Sequence, residues 1–224
     1  MSKLILFTFF FLSATLGLAS ITTRMNDVQS QDIQNLYKQL HLQDKINYKA
    51  FQQAVMGYHK IKVKKPVLTI IDFSKASTEK RMYVIDMKEK KVLFQSHVAH
   101  GKNSGLNKAT SFSNKSGSKQ SSLGFFLTEQ SYHGKNGLSL KLDGLEKDIN
   151  DNAKVRKIVM HGADYCNPQL AERQGRLGRS YGCPALPKEL TKPIIDAIKG
   201  GSLIYIFSDS WNERYLRKST ILKS

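Results

Sequence analysis

The 224-residue sequence contains two cysteines, five prolines and one tryptophan. Two thiols cannot build a disulfide scaffold or a four-cysteine zinc site. Glycine and proline, at 15 and 5 residues, are too few for a collagen-like repeat or a low-complexity tail, and no internal repeat is present. Acids are scarce as well: 18 Asp and Glu stand against 35 Lys and Arg, a formal net charge of +17, and no acid occurs between Glu89 and Glu129. A chain so short of negative charge predicts an anionic partner, whether nucleic acid, a membrane surface or an anionic polymer of a cell envelope. No apolar run reaches the ~20 residues of a spanning helix. The longest, Leu4 to Ala19, has 16 residues and includes weakly polar ones.

That run opens with one cation, Lys3, and ends in Gly17-Leu18-Ala19, the layout of a secretory signal peptide with small residues before the cut. Residues 1–19 are therefore expected to be removed, leaving no stable membrane anchor and an exported protein of the periplasm or cell envelope. Export disfavours nucleic acid and favours envelope polymers as the anionic partner. The absence of a cysteine just after the cut argues against a lipoprotein.

The full 224-residue sequence is 40% hydrophobic, enough apolar material for one packed domain. Ile33, Leu36, Tyr37 and Leu40, then Phe51, Ala54, Val55 and Tyr58, fall at helical spacing and predict two short helices within residues 20–62, the second capped by Asn47. Beyond Pro66 the pattern turns β-rich. Val67–Phe73, Arg81–Met87, Val92–Ala99, Leu123–Thr128, Leu138–Leu142, Val155–Met160 and Leu203–Phe207 are strand candidates, with a hairpin tip at Lys88–Lys90. Pro187–Lys199 is helical and stops at Gly200-Gly201. Residues 63–210 thus form one domain of mainly β class with peripheral helices (α+β), followed by a basic tail over 211–224 expected at the surface. Ala99–Ser122, rich in Gly, Ser, Asn and Lys, is expected to be a solvated loop or a basic rim beside a site.

Two segments carry candidate chemistry: His161-Gly162 at the end of a strand, and Gly175-Arg176-Leu177-Gly178-Arg179-Ser180-Tyr181-Gly182-Cys183-Pro184. Gly182 and Pro184 put Cys183 on a bend, where successive backbone N–H groups can converge as an oxyanion hole. A free thiol, with a pKa near ~8.5, needs a neighbouring base to become a useful nucleophile, and His161 is the best-placed candidate. Two other readings fit the same residues. Cys166 and Cys183 can pair as a loop-closing disulfide in an exported protein, and His161, Asp164, Cys166 and His133 can be assembled into a zinc site, although their spacing matches no compact ligand pattern.

The two segments resemble the murein L,D-transpeptidase catalytic domain family, in particular a branch whose nucleophile motif reads Gly-Arg-Leu-Gly-Arg-Ser-x-Gly-Cys-Pro, and the resemblance runs from about Val67 to Ser208. It implies a β-sandwich or barrel that needs no metal and no organic cofactor. It further implies acyl transfer on peptidoglycan stem peptides through a Cys183 thioester, with His161 as base, the Gly162 carbonyl orienting it, and Tyr181, Gly182 and Cys183 N–H groups as the oxyanion hole. The commoner motif of the family has His at the position of Tyr181 and an Arg soon after the cysteine, where this chain has Pro184-Ala185-Leu186. Arg176, Arg179 and Ser180 are the candidate substrate contacts in its place. The alternatives are an L,D-carboxypeptidase using the same residues with water as acceptor, and a non-enzymatic basic envelope-binding protein with a Cys166–Cys183 disulfide.

Overall fold

The computed structural model describes residues 28–222; the segment read as a signal peptide lies outside them. Helix α1 covers residues 28–39 and helix α2 covers Tyr48–Lys60. Asn47 caps α2 as expected, its side chain accepting from the Lys49 N–H at 2.9 Å. Eight strands follow: β1 (Val67–Asp72), β2 (Met82–Asp86), β3 (Lys91–Ser96), β4 (Gly124–Gly134), β5 (Gly137–Gly144), β6 (Val159–Gly162), β7 (Ala185–Leu186) and β8 (Leu203–Phe207). Helices α3 (Pro168–Gln174) and α4 (Lys188–Ile198) flank β7, and α5 (Asn212–Leu216) follows β8.

The strands form one sheet in the order β3-β2-β1-β8-β4-β5-β6-β7. The chain leaving β3 bridges to β7 through Ala99 and Ala185, so the sheet curls until its two edges nearly meet. The fold is thus mainly β and barrel-like, with peripheral helices. Its central strands are buried on both faces, which is why they are near-continuous apolar runs. Ile71, Val84, Phe126, Ile204 and Ile206 point into one core with Ile194, Ile195 and Ile198 of α4. Leu68, Ile70, Tyr83, Phe125 and Tyr205 point into a second core, covered by Ile33, Tyr37, Phe51 and Val55 of α1 and α2. The two N-terminal helices therefore cover one face of the sheet.

Three stretches differ from expectation. Residues 151–157 are turns rather than strand, held by bonds such as Arg156 N–H to Asn152 O (2.9 Å) and Lys157 N–H to Lys154 O (3.0 Å), and Val155 is 74% exposed. Residues 163–182, where the sequence offers no helix or strand candidate, contain α3, capped by Asn167 with Pro168 in its first turn. The tail expected at the surface is docked: Tyr215 and Ser219 are buried, and the Tyr215 hydroxyl donates to the carboxylate of buried Glu146 (3.0 Å). Glu146 also accepts from the Phe125 N–H (2.9 Å) and the Ser219 hydroxyl, so a buried acid collects the donors that pin the tail.

Arg81 lies fully buried and has no carboxylate partner among the described residues. Its Nε and Nη2 donate to the Val98 carbonyl (3.0 and 2.7 Å), its Nη1 to the Lys75 carbonyl (3.0 Å), and its Nη2 to His100 Nδ1 (2.8 Å). Since a guanidinium only donates, His100 carries its proton on Nε2, which faces the Gly105 carbonyl at 3.4 Å. The His100 backbone holds the nucleophile segment, accepting from the Ser180 N–H at 2.9 Å.

Burial, with the Arg81 charge added, pushes His100 down to about 3. The folded imidazole is neutral, whereas the unfolded chain takes up the proton near pH ~6.5. Stability from this group is therefore complete above ~6.5 and is lost as pH falls toward the folded value, at up to ~1.4 kcal/mol per pH unit. Thermal unfolding between pH 7 and 4 is expected to show a shallower loss of Tm in His100→Gln than in the wild type. Equal slopes would exclude His100 as the acid-sensitive group.

Candidate active site

The pairing of β6 with β7 is parallel and sets His161 opposite Ala185 and Gly162 opposite Leu186. His161, Gly162, Arg176, Arg179, Ser180, Tyr181 and Cys183 all line a single cleft of about 1020 Å³. The segments that were 22 residues apart in sequence are thus side by side, because a short strand after the cysteine runs parallel to the strand that carries the histidine. Gly182 lies buried behind the turn. Its φ of 125° is one that side chains resist, and a Cβ there would sit 2.8 Å from the Gln120 carbonyl oxygen.

His161 is 5% exposed, and its Nδ1 lies 2.9 Å from the Gly162 carbonyl. A carbonyl only accepts, so Nδ1 carries the proton and a neutral ring keeps Nε2 free as a base. Gly162 is needed for this geometry, since a Cβ on it would lie 2.4 Å from Thr191 Oγ1 of α4. The Cys183 sulfur accepts from the Val159 N–H at 3.5 Å, and its thiol faces the Lys157 carbonyl at 3.7 Å. No hydrogen bond joins thiol and imidazole, although both open onto the same cleft. Burial pushes the Cys183 thiol up, opposed by the Val159 N–H and the nearby Arg156 charge.

The turn before the cysteine is braced internally. The Ser180 hydroxyl donates to the Cys183 carbonyl (2.6 Å) and accepts from the Gly182 N–H (3.0 Å). Of the three N–H groups expected to face an oxyanion, that of Gly182 is thus shared with Ser180, and the Ser180 side chain is engaged within the turn. Arg179 gives its Nη1 to the Lys102 and Gly105 carbonyls (both 3.0 Å), and Arg176 gives one to the Leu177 carbonyl (3.1 Å). Each leaves other N–H donors of its fork unspent on these bonds.

A family model described as the L,D-transpeptidase catalytic domain matches residues 42–207. The chain belongs to the L,D-transpeptidase catalytic domain family. Among solved structures it is similar to an L,D-transpeptidase from Mycobacterium smegmatis, at 14% identity over 63% of this chain and 58% of that one, with a TM-score of 0.40. It is also similar to an L,D-transpeptidase of Xylanimonas cellulosilytica, at 12% identity over 66% and 63% of the two chains (TM-score 0.36). A third is the helical cell shape determining protein Pgp2 of Campylobacter jejuni, at 12% identity over 71% and 54% (TM-score 0.44). The chain covers 54–63% of the length of these three proteins. No curated protein matches.

In this L,D-transpeptidase family chain both cysteines are free thiols, so the disulfide left open by their number is not formed. Cys166 is fully buried among Ala99, Ala163, Ala171, Leu177 and Ala185, and its thiol donates to the Ala185 carbonyl at 3.1 Å, away from the cleft. Burial pushes it up to about 12. The Ala99–Ser122 segment does supply a basic rim: Lys102 lines the cleft, and the Lys119 ammonium lies 5.1 Å from the ring centre of Tyr181, which is 70% exposed. Sequence reasoning missed Arg156, which sits in a run expected as strand and whose partners are backbone carbonyls and serines on a distant segment.

Proposed function

We propose that this protein is an exported cysteine acyltransferase that forms or exchanges peptidoglycan stem-peptide links. Family membership and the convergence of His161 and Cys183 on one cleft support this reading. The observation that carries it is the contact of His161 Nδ1 with the Gly162 carbonyl: a carbonyl only accepts, so in a neutral ring the proton sits on Nδ1 and Nε2 is left as the base of a histidine that lines the cleft.

In this mechanism the Cys183 thiol rotates from the Lys157 carbonyl toward His161 and loses its proton to Nε2. The thiolate adds to the carbonyl of the bond joining an L-centre to a D-centre in the stem. The resulting oxyanion is met by the backbone N–H groups of the Tyr181–Cys183 turn, that of Gly182 being shared with Ser180. Collapse breaks the C–N bond, and protonated His161 gives its proton to the departing D-alanine amine, leaving a Cys183 thioester. The amine of a second stem then adds to the thioester with His161 again taking a proton, and the thiol is released with its proton restored. Arg176 and Arg179 are the proposed contacts for a substrate carboxylate. Residues 1–19 act as the export signal, and the excess positive charge faces anionic envelope polymers.

Incubating the purified protein with tetrapeptide muropeptides and analysing the products by mass spectrometry tests this. Crosslinked dimers with release of D-alanine are expected. Trimmed monomers alone would replace the transferase by a carboxypeptidase, and no change at all would end both readings.

A further inference from the structure

Arg156 is half-buried behind the nucleophile turn and forms no ion pair among the described residues. Its guanidinium is spent on the segment 113–122. Nη1 donates to the Ser113 carbonyl (2.7 Å) and the Ser122 hydroxyl, and Nη2 donates to the Gln120 carbonyl (2.6 Å) and the Ser118 hydroxyl (3.3 Å). That same segment holds the turn, since the Ser121 hydroxyl donates to the Gly182 carbonyl at 3.2 Å. The turn and the cation are in near contact: a Cβ built on Gly182 would lie 3.3 Å from Arg156 Nη2. The residue after Arg156 supplies the carbonyl that faces the Cys183 thiol.

We propose that Arg156 is a positioning residue for Cys183: it straps segment 113–122 against the Gly182 turn and fixes a positive charge behind the sulfur. The inference rests on Cys183 being the nucleophile proposed above. A guanidinium can span two carbonyls and two hydroxyls at once, which a lysine ammonium cannot reach from one point. With no carboxylate to neutralise it, its charge is available to a thiolate and, after attack, to the oxyanion at the same turn. Burial of the sulfur works the other way, and Arg156 is the cation that offsets it. The other titratable and charged groups near the sulfur are Lys157 beside the turn and those lining the same cleft: His161 on β6, Asp164 and the half-buried Tyr165 on the 3-10 turn Asp164–Cys166, Arg176, Arg179, Lys102, Lys135 and Lys188.

The test is the rate of iodoacetamide alkylation of Cys183 as a function of pH, with the modified residue located by peptide mass, in the wild type, Arg156→Gln and Arg156→Lys. In Arg156→Gln the alkylation midpoint is expected to rise by about one pH unit, with a rate at pH 7 roughly tenfold lower. Arg156→Lys, which keeps the charge but not all four bonds of the strap, is expected to rise by less, about 0.3 unit. An unchanged midpoint in folded Arg156→Gln would overturn the proposal. Should circular dichroism show that variant unfolded, Arg156→Lys decides alone, and a rise of about one unit there overturns it as well. Muropeptide turnover measured in parallel separates the two readings. A wild type that is alkylated at Cys183 but never releases D-alanine refutes the transpeptidase reading, while the alkylation midpoint still judges Arg156.

Discussion

Cys183→Ala is expected to lower kcat/KM for muropeptide turnover by at least ~10⁴-fold, because binding and oxyanion donors alone cannot replace a covalent route. The same substitution should leave Tm within a few degrees. The sulfur sits at the edge of the core, and its polar contacts, 3.5 Å to the Val159 N–H and 3.7 Å to the Lys157 carbonyl, are long. The brace that shapes the turn comes from Ser180 and not from the thiol, so the cleft survives the change. D-alanine release followed by mass spectrometry, with a circular dichroism melt on the same sample, checks both halves. Turnover within tenfold of the wild type in a folded variant would remove Cys183 as nucleophile.

Arg81→Ala should be the most destabilising single change outside the cleft, at ~3–5 kcal/mol. Arg81 is among the largest fully buried side chains, and truncating it opens a cavity. It also strands two backbone carbonyls, those of Val98 and Lys75, and removes the donor to His100 Nδ1. Its contact with the Phe73 ring, 4.8 Å from the centroid, is lost as well. The opposing effect is relief of the cost of burying the charge, which pushes Arg81 down to about 9. The Val98 carbonyl decides the sign, because it loses two donors and stays buried after the guanidinium has gone. Since a domain's total stability is only ~5–15 kcal/mol, a loss of this size depletes the folded protein. Urea denaturation of the two proteins measures it, and a difference below ~1 kcal/mol would show that water or repacking satisfies the stranded groups. Arg81→Lys should recover part of the loss, since one ammonium reaches fewer of the same acceptors.

The legible parts of this protein are those written in local pattern. Leu203–Phe207 is apolar at every position and is a strand buried on both faces; Asn47 caps α2; the bend around Gly182-Cys183 was visible in its glycine and proline. The histidine and cysteine could be named as candidates because each stands beside residues with special backbone behaviour. Other features left no such trace. The strand candidate Val155–Met160 was composed like a strand, yet turn bonds and a left-handed Lys157 (φ 55°) delay β6 until Val159. The C-terminal tail looked like solvated charge because its apolar positions are few, whereas Tyr215 and Ser219 answer a buried acid roughly seventy residues earlier.

By itself, then, the sequence determined the mainly β class, the helical start, the candidate segments around His161 and Cys183 and the sign of the charge. Only the tertiary structure decided the strand order, the near-closure of the sheet at Ala99 and Ala185, the separation of Cys166 from Cys183, and the placement of Arg81 and Arg156. The physical reason is the partner each group takes. Periodicity and turn chemistry act between neighbours in the chain and show in its pattern. Arg156 instead takes carbonyls and hydroxyls 34 to 43 positions away, and any residue type can offer a carbonyl, so no sequence pattern marks where such a cation will settle.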